Sequence, residues 1–211
     1  MEHLLKSFRL FALGYASGFA VFALMSITLP QLRQLLLAML TAKVQSQEAL
    51  LGSAGYGVFI NNLLASLLCS YGGFFATIGF LRLGSDSDPR LRHLRRLDRR
   101  LGEVGDEALK FYLSLFTFPV FILFLNGAVL GFLLGFFVHS PGEYFARLSP
   151  HALTELPAIL LSGSIGLKIA ESVLPELGTD FRARLKREAV RSVPAYALVV
   201  LLLAVSAYLE T

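Results

Sequence analysis

Charge is sparse in this 211-residue sequence: Asp, Glu, Lys and Arg together make up 16% of it, against about 25% in an average soluble domain. Apolar side chains reach 55% and the mean hydropathy is +0.64. So much apolar surface exceeds what one water-soluble core can hide, which excludes an ordinary soluble class and points to a membrane protein. Cysteine is scarcer still. The single Cys69 lies inside an apolar stretch, so an intrachain disulfide is excluded and the sulfur reads as a small packing group. Enzyme signatures are missing too: there is no phosphate loop, no serine elbow, no paired cysteines and no helical His-Glu-x-x-His. The expectation is a protein that is not an enzyme. His139 and His151 flank a short loop turned by Pro141-Gly142, with Glu143 between them, but their spacing matches no compact ligand pattern. Neither a metal nor a cofactor is expected.

Long apolar runs are abundant. Five of them, at about 11–29, 63–83, 109–138, 152–174 and 193–209, predict an all-α fold, a single polytopic membrane helix bundle over 1–211 with about five crossings. The first follows Lys6 and Arg9 and outruns the 7–15-residue apolar core of a signal peptide, with no clean small-x-small site after it. The third is longer than the roughly 20 residues a crossing needs and must tilt, kink or project. The fifth is close to the lower limit.

The net charge of +4 and the pI near 9.4 have two physical readings. Clustered Lys and Arg neutralise phosphate in nucleic-acid binders, whereas membrane proteins keep their positive charges in cytoplasmic loops. Distribution favours the second reading and no nucleic-acid partner. With the N-terminus inside, Lys6, Arg9 and the basic runs within 82–100 and 182–191 place fourteen Lys and Arg on the inner side, against three (Arg33, Lys43 and Arg147) outside. An even number of crossings would put one arginine cluster outside, so the same count supports five.

Three stretches between the crossings read as interfacial amphipathic helices. Leu32, Leu35, Leu36, Met39 and Leu40 recur at helical spacing after Pro30. Asp88-Pro89 opens a second, in which Leu91, Leu94, Leu97, Leu101 and Val104 run among six arginines. Thr179-Asp180 opens a third, with Phe181, Leu185 and Ala189 among Arg182, Arg184, Lys186 and Arg187. Both basic helices suit anionic lipids of the cytoplasmic leaflet.

Inside the bilayer, small residues mark helix interfaces, because lipid gives helices no hydrophobic reason to associate. Gly127, Gly131 and Gly135 form overlapping GxxxG steps, and Ala158, Ser162, Gly166 and Ala170 repeat the spacing. These stripes are expected to pack on each other or on a second copy, making a homo-oligomer. Ala65, Cys69, Gly73 and Thr77 offer a third stripe, and Gly14 and Gly18 a shorter one. Polar groups at membrane depth are costly when unpaired, which makes Asn61, Asn62, Asn126 and Glu155 a candidate intramembrane polar cluster. Asn61 and Asn62 read either as interfacial caps or as part of a re-entrant element over 56–62 lining a polar cavity. Asn126 reads as a side chain bonded to a neighbouring helix. Glu155 complements the N-terminus of its helix and, if the two asparagines converge on it, shares their hydrogen bonds. Lys168 and Glu171, three apart, read as a local ion pair.

Asn61-Asn62, Asn126-Gly127, Pro150-His151 followed by Glu155-Leu156-Pro157, Ser162-Gly163, Gly166-Leu167 and the closing Glu210 together resemble the stage II sporulation protein M family of prokaryotic membrane proteins. The resemblance implies a five-crossing anchor in the cytoplasmic membrane. In spore formers such an anchor assembles two cell-wall-cleaving partners, and relatives occur in organisms that never sporulate. A scaffold for protein partners not identifiable from sequence is therefore the first expectation. A small permease or channel, with the polar cluster lining its path, is the second.

Overall fold

The computed structural model describes residues 1–28, 31, 34, 35, 38, 39, 42, 54–83, 107–136, 142, 153–173 and 181–209. Among them all regular secondary structure is helical. We number the helices α1 (Glu2–Thr28), α2 (Ala54–Leu83), α3 (Glu107–Phe136), α4 (Glu155–Val173), α5 (Phe181–Arg191) and α6 (Val193–Leu209). In an apolar medium every backbone N–H and C=O must find its partner internally, so an uninterrupted helix is the local solution for each apolar run. Segments within α1, α2, α3 and α4 are long and apolar enough to cross a membrane. The 17 residues of α6 reach the lower limit of a crossing. α6 joins α5 at a 43° bend and makes a fifth crossing if the bent pair counts as one span. At 30 residues, α3 extends for roughly 45 Å at 1.5 Å per residue, well past a hydrocarbon core of about 30 Å.

The registers between helices fix their directions. Gly14 and Gly18 approach Phe124 and Ala128 in the same order, so α1 and α3 run parallel. Asn62 meets Glu155 and Ser70 meets Ser162, so α2 and α4 are parallel as well. Contacts of Gly72 with Phe118 and of Thr77 with Ser114 make α2 antiparallel to α3. Those of Ser66 with Tyr196 and of Tyr71 with Ser192 make it antiparallel to α6. Hence α1, α3 and α6 point one way, and α2 and α4 the other, as in a chain that crosses back and forth. α4 is central and touches all five other helices. The core between them holds Leu115, Ile165, Ile169, Val173, Leu185, Val199 and Leu203, with Cys69, Leu123, Ile159 and Leu167 in an adjoining cluster.

The glycine stripe of α3 differs from expectation in its partner. Gly127 and Gly131 lie against the backbone of Phe11 and Tyr15, while Gly14 and Gly18 lie against that of Phe124 and Ala128. The stripe therefore meets α1 rather than α4 or a second copy, because two GxxxG faces are mutually complementary and bring backbones into contact. Gly135 continues the seam against the Phe22 ring, which meets Phe132 edge-on at 5.3 Å. On α4, Gly166 sits instead under the Cys69 carbonyl and Pro119, so this second stripe packs into the groove between α2 and α3.

The start of α2 bears on the two readings left open for Asn61 and Asn62 and favours neither, since both lie inside the helix and do not cap it. Residues 54–62 belong to an unbroken helix, not to a re-entrant element, since helical pairing satisfies the backbone groups that a dipping loop would leave open. Leu35 and Met39 of the first amphipathic stretch are helical and exposed. The basic stretch of 88–104, together with His139, Pro141, Glu143, His151 and Glu210, lies outside the described residues.

Candidate functional site

Of the four residues proposed as an intramembrane cluster, the fold brings two together. Asn62 Nδ2 donates to Glu155 Oε1 at 2.7 Å, with both residues half-buried. The parallel course of α2 and α4 sets Asn62 level with the first turn of α4, where a carboxylate also complements the helix N-terminus. Asn61 points away and is exposed. Asn126 donates to the Ile122 carbonyl of its own helix at 2.8 Å, so the expected bond to a neighbouring helix gives way to a local one, four residues back, that needs no partner helix.

Below Asn62 a line of hydroxyls runs along one face of α2. Ser66 Oγ donates to the Leu63 carbonyl at 2.8 Å and lies 3.3 Å from Tyr196 Oη on α6. Ser70 Oγ donates to the Ser162 carbonyl on α4 at 3.2 Å. Ser162 itself is fully buried and turns its hydroxyl to the Ala158 carbonyl at 2.8 Å. Tyr71 Oη meets Ser192 Oγ at 2.9 Å. Because the Ser192 hydroxyl donates to the Ala189 carbonyl at 2.7 Å, the tyrosine is the donor. Thr77 and Ser114 share a hydrogen bond of 2.8 Å between α2 and α3. Asn62, Ser66, Ser70 and Thr77 recur at helical spacing, and that signal was available in the sequence. The small-residue stripe through Ala65, Cys69, Gly73 and Thr77 followed the neighbouring face and passed over the serines.

The opposite end of the bundle carries an ionic cluster. Glu171 on α4 binds Lys6 of α1 at 2.8 Å, and Lys6 also binds Glu2 at 2.9 Å. His3 Nδ1 lies 3.5 Å from the second Glu171 oxygen. Glu171 thus reaches across to α1, not to Lys168 as its spacing suggested, and Lys168 is exposed. A lysine three residues back offers only an exposed local contact, whereas the first turn of α1 packs directly against the end of α4.

In chemical terms these groups are donors and acceptors matched between helices. Among the described residues no three His, Cys, Asp or Glu side chains gather in a way that would hold a metal ion. Cys69 is buried with its thiol toward the Pro119 carbonyl at 3.9 Å.

The long apolar helices, their alternating directions and the hydroxyl contacts between them define a polytopic membrane helix bundle. The family model for Stage II sporulation protein M matches residues 108–211, which include nearly all of α3 and the whole of α4, α5 and α6. The chain belongs to the stage II sporulation protein M family. No curated protein and no solved structure matches it.

Proposed function

We propose that the chain is a non-catalytic membrane anchor that assembles partner proteins at a prokaryotic cytoplasmic membrane, with its N-terminus in the cytoplasm and with self-association contributing to the assembly. The observation that carries this reading is the closed centre of the bundle. Leu123, Ala158, Ala170, Val173 and Val199 are 0% exposed, glycines bring backbones into contact, and the hydroxyls of α2 bond to adjoining helices. A frame in which Ser66, Ser70 and Thr77 of α2 bond to adjoining helices suits holding a shape better than passing a solute. The positive-inside distribution of Lys and Arg supports the orientation.

The test is the composition of the intact assembly. The full chain, extracted in mild detergent from its native membrane and weighed by native mass spectrometry, is expected to carry at least one other protein in fixed ratio, together with a second copy. A lone monomer, with or without lipid, would sink the proposal.

One observation favours a second reading, a small permease: the half-buried Glu155 carboxylate held by Asn62 at the start of α4. In proteoliposomes that reading requires an ion or proton flux that Glu155→Gln abolishes. The anchor reading requires equal leak with and without the substitution.

A further inference from the structure

α5 is a short helix with an unusual division of its surface. Leu185, 0% exposed, and Ala189 face the bundle and belong to the same core cluster as Val173 and Ile169. On the far side Ala183 and Val190 form an exposed apolar ridge, and Val190 is 61% exposed. Arg182 and Lys186 flank this ridge on one side and Arg187 and Arg191 on the other, each pair four residues apart and all four exposed. The helix contains five basic residues and one acid. That acid, Glu188, lies toward the bundle and holds Arg191 at 3.0 Å.

This pattern fits neither bulk water nor the hydrocarbon core. In water the valine ridge would gain nothing from its exposure, and in hydrocarbon the flanking cations would be ruinously desolvated. At the boundary both are satisfied, since an apolar ridge dips below the headgroups while long cationic side chains on either flank reach up to them. The depth of the helix is fixed from within. Leu185 and Ala189 are packed into the core, the Ser192 N–H bonds to the Glu188 and Ala189 carbonyls at 3.1 and 3.3 Å, and Tyr71 holds Ser192 at 2.9 Å. α5 therefore presents its cations at a set level and does not drift.

We infer that α5 is a docking surface for anionic lipid headgroups, with phosphodiester oxygens taken by Lys186 and Arg187 and Val190 seated just beneath them. The inference rests on the reading of α5 as the cytoplasmic end of the bundle, where the leaflet is anionic.

The test uses the full chain with Cys69→Ser and Val190→Cys, labelled with bimane and reconstituted in nanodiscs of phosphatidylcholine with or without phosphatidylglycerol. A nitroxide lipid labelled near its headgroup is expected to quench the probe several-fold more than aqueous iodide does. Native mass spectrometry is expected to show phosphatidylglycerol retained in preference to phosphatidylcholine. The Lys186→Gln/Arg187→Gln variant, which alters two exposed side chains and leaves the core intact, is expected to reduce that preference by about thirtyfold. Stronger quenching by iodide, or an undiminished preference in the charge-removed variant, would overturn the inference, the first by placing α5 in water or against a soluble partner. Thiol labelling reports the side of the membrane separately, so a wrong orientation is distinguishable from a wrong ligand.

Discussion

The carboxylate of Glu155 starts α4 with the Asn62 amide 2.7 Å away, and each group explains the other. A hydrogen bond to a charged group is worth about 1.5–3 kcal/mol, and lipid offers no substitute for it. Asn62→Leu is accordingly expected to destabilise the protein by about that much, whereas Asn61→Leu, at an exposed position, should stay within about 0.5 kcal/mol. Unfolding of the purified variants by a denaturing detergent measures both. Equal losses would mean that the 2.7 Å contact contributes nothing. The hydroxyl contacts are smaller terms individually. Ser70→Ala removes one bond to the Ser162 carbonyl and is expected to cost about 0.6 kcal/mol, the average for interhelical hydrogen bonds in membranes.

Between elements, the seam of α1 and α3 depends on the absence of side chains. A Cβ built at Gly131 would collide with the Tyr15 carbonyl, and one at Gly18 with the Ala128 carbonyl. Backbone cannot swing aside as a flexible side chain can, so even a methyl group forces the helices apart. Gly131→Leu is expected to abolish the folded, monodisperse protein in size-exclusion chromatography. Leu134→Ala, at a partly exposed site on another face of α3, should leave a folded peak. If both changes are tolerated, the seam is not where the two helices touch. The seam also spans the edge of the family match. Gly14 and Gly18 come from outside residues 108–211, as do Asn62 and Lys6, which bind the two α4 acids Glu155 and Glu171. The first two helices thus complete contacts that the matched half begins.

For the whole molecule, the alternation of helix directions requires opposite sides for the α2–α3 and α3–α4 connections. Single cysteines at Ser87 and Gly142, in a Cys69→Ser background, are expected to react with an impermeant thiol reagent from opposite faces of sealed vesicles. Reaction from the same face would contradict the alternating course. What the sequence determined by itself was the medium and the inventory: the apolar runs are satisfied as helices in lipid, four of them long enough to cross and a fifth if α5 and α6 count as one span. The position of Glu155 at a helix start was legible for the same reason, since it follows from where an apolar run begins, whereas Asn62 lies about two turns inside α2. The pairings were not legible. Gly127 and Gly131 fit any small-residue face equally well, and only the packed bundle chose Gly14 and Gly18 over Ser162 and Gly166. Likewise Glu171 had a lysine three residues away in sequence, yet the close approach of α1 gave it Lys6. Local periodicity fixes which face of a helix is small or polar, whereas the identity of the opposing face depends on contacts between segments far apart in the chain, which only the tertiary structure decides.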